Sequence, residues 1–243
     1  MDPLIWISGA SGGIGQALAR TVPWSGARVI GISRSPAPGI AHLAADLADP
    51  ASWPAVGESF RRELAGFDGD LAIFIHAAGT LDPIGFAGEV PSDAYATNVL
   101  LNSASPQVLG HLFVAAVREA GVQGRLVVLT SGAAKSVYPG WSSYGAAKAA
   151  VDQWVRDVGA EQDLRGGRTH VLAIAPGTVD TGMQEELRAT SPEDFPGRQK
   201  FVDLHAGGKL ADPDTVARDL WAVLEQGLPN GSVVDLRDLA KRS

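Results

Sequence analysis

Two residues that could move a proton, Tyr144 and Lys148, lie four positions apart in an Ala-rich stretch of the sequence. The stretch should be helical, and side chains at this spacing share one helix face. An ammonium beside a phenol favours the phenolate, so we expect Lys148 to lower the pKa of Tyr144 from about 10. Tyr144 is therefore a candidate acid or base, and Ser131 could hold a substrate oxygen. The same Tyr–Lys spacing also arises by chance on many helices.

A glycine-rich turn follows the first apolar run of the chain, residues 4–7. Strand, glycine-rich turn and helix in that order are typical of dinucleotide binding. Glycine lets the backbone approach a pyrophosphate, and the helix N-terminus offers unpaired N–H groups. The spacing is G-x-x-x-G-x-G, and a flexible turn without a ligand is the alternative. The candidate cofactor-binding residues here are Gly9, Ser11, Gly13, Ile14 and Gly15.

The end of the second predicted strand, residues 28–33, indicates which cofactor binds. A carboxylate near this position would bind the ribose 2′-hydroxyl of NAD, but here Ser33 is followed by Arg34. A guanidinium can grip a 2′-phosphate with two hydrogen bonds, which predicts NADP(H) rather than NAD(H). Asp46 and Leu47 follow the weak third strand. Asp46 either accepts a hydrogen bond from the adenine amino group or caps a turn.

Small residues and a sharp break follow two further predicted strands. The fourth strand ends in Ala-Ala-Gly, which would let a cofactor lie across the strand end. A Pro-Gly break follows the sixth strand. Asn98, in a later helix, could hold a water molecule, or it could equally cap or kink that helix. These features add Ala77, Ala78, Gly79, Asn98, Pro176, Gly177, Val179 and Thr181 to the candidate site.

The composition excludes several classes of protein. The 243 residues are 45% hydrophobic and 19% charged, which suits an α/β domain with a large core. A net charge of −7 argues against nucleic acid and acidic membranes as partners. Without Cys, and with five scattered His, no metal site is expected. No apolar run approaches the ~20 residues of a membrane helix, and the early first strand leaves no room for a signal peptide, so we expect a cytoplasmic protein.

Strands alternate with helices along the whole chain, which predicts an α/β fold with a doubly wound parallel (Rossmann) sheet of about seven strands and helices on both faces. The candidate residues fall at the carboxyl edge of this sheet, where such folds bind ligands. We expect residues 1–243 to form a single domain. The segment 182–208 should be its least regular part, a substrate loop with one amphipathic piece at 183–188. The predicted strands span residues 4–7, 28–33, 42–45, 71–75, 125–130, 170–175 and 232–235.

The combination of motifs resembles the short-chain dehydrogenase/reductase family of the single-domain kind. Ser131 and Tyr144 are 13 apart, as the family pattern asks. The resemblance implies that Tyr144 is the catalytic acid/base, that Lys148 lowers its pKa and holds the nicotinamide ribose, and that Ser131 orients the substrate carbonyl. It implies a water relay behind Lys148, anchored by Asn98. The resemblance is carried by Gly9, Gly13, Ile14, Gly15, Ala77, Ala78, Gly79, Asn98, Ser131, Tyr144, Lys148, Pro176, Gly177 and Thr181.

Two positions depart from the family pattern. Ser8 stands where Thr is usual, and His76 stands where Asn is common, which leaves the role of that side chain open. Within the family the chain is similar to sepiapterin reductases and benzil reductases, through Ser33-Arg34 and the segments 138–141 and 180–184. Asp235 corresponds to the place where sepiapterin reductases anchor the pterin, or it merely ends a strand. The candidate substrate residues are Trp141, Met183 and Asp235.

These features predict an NADPH-dependent carbonyl reductase that transfers a hydride to a small-molecule ketone or diketone, with Tyr144 as proton donor. One alternative is a 3-oxoacyl reductase acting on a carrier-bound substrate, for which Arg188, Arg198 and Lys200 supply only a thin basic patch. Another is a non-catalytic NADP-binding module, against which the complete catalytic set argues. Family members usually pair through two long helices, so the resemblance implies a homodimer or homotetramer.

Overall fold

Seven parallel strands form one sheet, in the order β3-β2-β1-β4-β5-β6-β7, in the computed structural model, which describes residues 2–239. The order reverses beside β1, so successive crossovers cover opposite faces of the sheet. The predicted doubly wound fold is thereby confirmed. The strands are β1 (Leu4–Ser8), β2 (Arg28–Ser33), β3 (Ala41–Ala44), β4 (Leu71–His76), β5 (Gln123–Leu129), β6 (Thr169–Ala175) and β7 (Ser232–Asp235).

Helices occupy the connections between these strands, except between β2 and β3, and most lie where the sequence predicts them. A π-helical turn, Leu100–Ala104, joins two of them into one long run. Asp49 and Asp212 cap helical segments as expected, each accepting a backbone N–H bond. The helices are α1 (Gly13–Arg20), α2 (Trp53–Ala65), α3 (Ser92–Val99), α4 (Ser105–Ala120), α5 (Ser142–Arg165), α6 (Gly182–Ala189), α7 (Arg198–Ala206), α8 (Pro213–Val223) and α9 (Leu236–Leu239).

The segment 182–208 is more regular than predicted. It folds into α6 and α7, which pack against each other, rather than into a largely irregular loop. The reason is burial: Leu187, Phe195 and Phe201 are 0%, 0% and 6% exposed and share one apolar cluster. Met183 and Leu204 pack against the same cluster. The predicted amphipathic piece at 183–188 corresponds to α6, whereas α7 has too weak a periodicity to be detected from sequence.

The core has two halves, one on each face of the sheet, because successive strand residues point to opposite sides. In β1, Trp6 packs on one face against Phe60, with ring centroids 5.2 Å apart. Ile5 and Ile7 pack on the other face, in the cluster that also holds Trp221. All five residues of β1 are buried, which explains its unbroken apolar sequence.

The helical run Ser92–Ala120 corrects one expectation from sequence. It is 29 residues long with a hydropathy of 1.2, so by length and composition alone it could cross a membrane. Of its most apolar window, 39% is buried within the fold. Leu109, Phe113 and Val117 pack into the core on one face of the sheet. A core helix passes the same test, so the run by itself does not indicate a membrane span.

Candidate active site

A cavity of about 480 Å³ opens at the carboxyl edge of the sheet. Most of the predicted site residues line it, although they come from five separate parts of the sequence. Parallel strands bring their carboxyl ends to one edge, which is why these segments meet. The predicted residues that line the cavity are Ile14, Ala77, Ala78, Gly79, Ser131, Trp141, Tyr144, Lys148, Pro176, Gly177, Val179, Thr181 and Met183.

Tyr144, Lys148 and Ser131 converge at the floor of this cavity. Tyr144 and Lys148 lie on the same face of α5, and the Lys148 Nζ is 5.7 Å from the centroid of the tyrosine ring. Lys148 Nζ donates a hydrogen bond of 2.9 Å to the Leu129 carbonyl oxygen at the end of β5. Ser131 follows β5 and lies close enough to Tyr144 for their side chains to interact. The end of β5 thus positions both residues that lie next to the Tyr144 side chain, Ser131 and Lys148.

The expected direction of the shift in the Tyr144 pKa is wrong. Burial raises the pKa of Tyr144, and the contact with Ser131 opposes this rise without reversing it. The side chain is 7% exposed, so losing water around a phenolate costs more than its neighbours return. A phenol with a raised pKa keeps its proton at neutral pH, so it is an acid there.

Lys148 shows the complementary effect. Burial lowers its pKa to about 8, and the nearby carboxylate of Asp152 opposes that fall. At pH 7 the side chain of Lys148 is therefore still protonated in most molecules and carries its positive charge. Asp152 lies one helical turn beyond Lys148, is 3% exposed, and leaves its Oδ1 without a hydrogen-bond partner. Sequence reasoning missed Asp152, although its i+4 spacing after Lys148 on a helix was the available signal.

The glycine-rich turn fits a pyrophosphate. Gly9 has a φ of +68°, and a Cβ there would lie 2.9 Å from the Ala78 backbone. A Cβ on Gly15 would lie 2.3 Å from the Gly9 carbonyl oxygen, so α1 can only pack this closely with glycine there. Gly12, the N-cap of α1, provides no side-chain hydrogen bond to the first turn. No N-cap side chain therefore competes for the first N–H groups of α1, as an anion site requires.

Ser8 explains why a hydroxyl before the glycine turn matters. Its Oγ accepts hydrogen bonds from the N–H groups of Ala77 and Ala78, at 3.0 and 3.1 Å. These bonds tie the end of β4 to the end of β1, beneath the turn. Serine does this as well as threonine, so this departure from the family pattern keeps the interaction.

Two asparagines lie behind Lys148, and the structure separates their positions. A Cβ on Gly79 would lie 2.9 Å from Asn102 Oδ1 and 3.9 Å from Lys148 Nζ, so Asn102 is the asparagine beside the lysine. Asn102 also bonds to both the N–H and the carbonyl oxygen of Thr80. Asn98, the residue named from sequence, holds Asn102 through its Oδ1 at 3.0 Å, and neither asparagine is among the residues that line the cavity. The role expected of Asn98 therefore fits Asn102 better.

The residues expected to select the cofactor lie beside the glycine turn but outside the cavity. Gly9 N–H donates to the Ile32 carbonyl oxygen at 2.9 Å, which places the end of β2 next to the turn. Ser33 is buried and Arg34 is exposed immediately after it. Asp46 Oδ1 accepts from Ala48 N–H at 3.0 Å, which is the turn-capping alternative. Leu47 is 4% exposed in the core and Ser11 is exposed in the glycine turn.

A cluster of four rings, which we call the aromatic wall, bounds the outer part of the cavity. Its members are Tyr138, Trp141, Phe195 and Phe201. Trp141 and Phe195 stack with centroids 4.5 Å apart, and Trp141 meets the Tyr144 ring at 5.6 Å. Tyr138, Trp141 and Phe201 line the cavity, while Phe195 supports them from behind. The wall therefore offers flat apolar surface next to the reacting hydroxyl groups.

Asp235 does not fit the substrate role suggested for it. It is absent from the cavity lining, and its two carboxylate oxygens accept bonds of 2.8 and 2.5 Å from the Arg237 guanidinium. Arg237 instead lines the cavity, packing against Gly177. The carboxylate is thus neutralised by its neighbour and turned away from the ligand space. Sequence reasoning missed Arg237, since nothing in Val-Asp-Leu-Arg shows which charge faces inwards.

His76 resolves the second departure from the family pattern. It is 1% exposed, and its Nε2 lies 3.0 Å from the Ser105 hydroxyl on α4. Burial, with a smaller contribution from Lys148, lowers its pKa to about 3. His76 therefore connects β4 to α4 as a neutral ring, behind the catalytic residues.

The depressed pKa of His76 predicts a loss of stability in acid. Below pH ~6.5 an unfolded histidine binds a proton that the native state excludes, so unfolding becomes easier as the pH falls towards 3. His76→Asn should remove this effect. Between pH 7.5 and 4.5 its free energy of unfolding should fall by roughly 2–3 kcal/mol less than that of the parent protein. Urea unfolding at both pH values measures it. The exposed His111→Asn is the matched control, and parallel losses in both variants would refute the assignment.

Fold and site together define a dinucleotide-dependent oxidoreductase of the Rossmann type. The family model described as short chain dehydrogenase matches residues 3–192 of the chain. The chain therefore belongs to the short chain dehydrogenase family.

Similar proteins extend over the whole chain. A benzil reductase ((S)-benzoin forming) of Bacillus subtilis (strain 168) is 33% identical over 237 residues, covering 96% of this chain and 97% of that protein. Sepiapterin reductase of Mus musculus is 34% identical over 119 residues, covering 49% and 44%. The solved structure of a short chain dehydrogenase/reductase from Saccharomyces cerevisiae superposes with a TM-score of 0.84 at 22% identity, covering 99% and 98%, and shares the fold.

Proposed function

We propose that the protein is an NADPH-dependent carbonyl reductase for aromatic ketones or diketones. The observation that carries this proposal is the position of Tyr144, which is next to Ser131 and Lys148 at the cavity floor and in ring contact with Trp141 of the aromatic wall. The similarity to a benzil reductase supports a diketone carrying aryl groups. A ketone with an aryl group would place its ring against the wall and its oxygen at the two hydroxyl groups.

The protein groups then have distinct roles. Bound NADPH would supply the hydride for the carbonyl carbon. Tyr144, kept protonated by burial, donates its proton to the carbonyl oxygen as negative charge develops there. Ser131 donates a hydrogen bond to the same oxygen. Lys148 stabilises the resulting phenolate, because its ammonium is held beside the ring by Leu129.

The preference for NADPH rests on Arg34. Its guanidinium is exposed at the end of β2, beside the glycine turn. No ion pair engages Arg34 among the residues that the structure describes, so its charge remains available to a 2′-phosphate.

A substrate panel tests the proposal. The purified protein should reduce benzil with NADPH, and the rate should be higher than with NADH at the same concentration. Methyl phenylglyoxylate serves as a smaller aryl ketone, and an acetoacetyl thioester represents the carrier-bound class. Absorbance at 340 nm reports the rate, and chromatography identifies the hydroxyketone product. If no aryl ketone is reduced with either NADPH or NADH, the proposed function is refuted.

The carrier-bound alternative finds less support in the site. Of the three basic residues expected to bind a carrier, only Lys200 lines the cavity. Arg198 Nε donates to the Arg188 carbonyl oxygen at 2.8 Å, so this pair links α7 to α6. A structural role thus accounts for these two residues.

We further propose a cytoplasmic homo-oligomer, with α4 and α5 at the contact between subunits. The outer face of α5 exposes Ala146, Ala149 and Ala150, while Ala147 faces the protein interior. Val99 and Val108 are 40% and 37% exposed on the neighbouring helical run. Small and apolar side chains allow close approach of two helices. Light scattering after size exclusion measures the subunit number.

A further inference from the structure

The walls of the active-site cavity carry positive charges and no carboxylate among the described residues. Lys148, Lys200, Lys209 and Arg237 line it, and no Asp or Glu is among its lining residues within the described chain 2–239. The chain as a whole has 27 acidic and 20 basic residues, so the cavity opposes the overall charge. Three of the four described lysines contribute to it. Such an excess attracts an anion.

Lys200 is placed for a substrate rather than for the cofactor. Its Nζ lies 5.3 Å from the centroid of the Tyr138 ring and 5.6 Å from that of Phe201. Both rings belong to the aromatic wall, whose cluster includes no residue of the glycine turn. The Nζ donates a hydrogen bond of 2.9 Å to the Tyr138 hydroxyl. The lysine is therefore held at the end of the cavity where the ring of an aryl ketone would lie.

This ammonium has a neutral partner only. Within residues 2–239 the ion pairs do not include Lys200, and its hydrogen-bond acceptor is a phenol. Arg237 lies near enough to Tyr138 for an electrostatic interaction and reaches the backbone at Gly177. Asp235 neutralises Arg237, whereas Lys200 and Lys209 have no ion pair among the described residues, and Lys200 is the one that contacts the aromatic wall. Tyr138 Oη, Lys200 Nζ and the Arg237 side chain together form a corner that suits a carboxylate.

We infer that the substrate of this site is an aryl ketone that carries a carboxylate. The aryl ring would lie on the aromatic wall, the ketone oxygen at Ser131 and Tyr144, and the carboxylate at Lys200 and Tyr138. This inference rests on the proposed carbonyl reductase function and narrows its substrate class. The ketone carbon accepts a hydride, with two electrons, from NADPH, which becomes NADP⁺, and the oxygen accepts the Tyr144 proton. The product is a hydroxy acid whose carboxylate is unchanged.

Matched acids and esters test the inference. Phenylglyoxylate and 3-benzoylpropionate place the carboxylate at two distances from the ketone, and each is compared with its methyl ester. We expect at least one acid to exceed its ester in kcat/KM by roughly tenfold, as one charge-assisted hydrogen bond provides. Lys200→Met should abolish this preference by raising KM for the acid, with the ester changed less than twofold. Lys200→Arg should retain the preference, and the exposed Lys135→Met is the control.

The outcomes separate this inference from the proposed function. Reduction of benzil and of the esters, with acids disfavoured, would overturn the inference and leave the reductase function intact. Equal losses on acid and ester in Lys200→Met would overturn it as well, since that pattern indicates a structural role. If neither benzil nor any acid or ester is reduced with NADPH or NADH, the proposed function itself fails. Circular dichroism of Lys200→Met checks that the variant is folded.

Discussion

Replacing Tyr144 by Phe should lower kcat for benzil reduction by about 10²- to 10⁴-fold, the range that a positioned proton donor contributes. The ring would stay in place, because Trp141 packs against it at 5.6 Å and the side chain is 7% exposed. Only the hydroxyl group is lost, and with it the proton for the carbonyl oxygen. Steady-state rates with saturating NADPH measure kcat, and fluorescence quenching measures NADPH binding.

Tyr95→Phe is the matched control for this loss. Tyr95 Oη lies 3.3 Å from the Ser142 hydroxyl at the start of α5, so this variant also removes a tyrosine hydroxyl from contact with that helix. It lies outside the cavity lining, and its kcat should stay within twofold of the parent. NADPH binding should be retained in both variants, since the glycine turn is untouched. Near-normal turnover in Tyr144→Phe would remove Tyr144 from the chemistry.

The raised pKa of Tyr144 changes how its role is understood. From sequence alone, the lysine four residues on predicts a phenol that ionises easily. In the structure burial dominates, so the phenol holds its proton at neutral pH while Lys148, with a pKa of about 8, remains charged. A protonated donor beside a cation suits the reduction of a carbonyl group. The sequence could give the pair and its spacing, but the sign of the shift depends on solvent exclusion by the whole fold.

The fold was predictable because its signals are local. Most strands contain a short apolar run bounded by turn residues, and β1 is buried along its whole length as such a run implies. The convergence of Ala78, Ser131 and Pro176 followed from the rule that parallel strands end at one edge. The amphipathic piece predicted at 183–188 corresponds to α6, but α7 was not predicted, because it depends on contacts of Phe201 with the aromatic wall rather than on its own periodicity.

Two errors in the site have the same physical origin. Asn98 and Asn102 are four apart, and Asn102, within the π-helical turn Leu100–Ala104, is the one that lies near Gly79 together with Lys148. Asp235 and Arg237 are two apart, and only the path of the chain after β7 turns the arginine inwards. In both cases two residues of a suitable type are close in sequence, and the orientation of their side chains decides which one lies at the site. Orientation at this scale is set by tertiary packing, which spacing does not encode.

Arg34→Asp should reverse the cofactor preference, lowering the NADPH/NADH ratio of kcat/KM by about 10²-fold. A charge-assisted bond to phosphate contributes roughly 1.5–3 kcal/mol, and each 1.4 kcal/mol corresponds to tenfold. Loss of the guanidinium therefore weakens NADPH binding by about 10- to 100-fold. A carboxylate also repels the 2′-phosphate and can accept a hydrogen bond from the 2′-hydroxyl of NADH. Arg34 is exposed, so the exchange should leave the core intact.

The ratio is measured with benzil as substrate, at several concentrations of each cofactor. Arg168→Asp is the matched control, since Arg168 is exposed in the turn before β6, at the opposite edge of the sheet. It makes the same change of net charge, so any general effect of charge on cofactor attraction appears in both variants. A ratio that falls only in Arg34→Asp assigns the 2′-phosphate to Arg34. An unchanged ratio, or equal changes in both variants, would contradict the assignment and leave the preference for NADPH without a residue to support it.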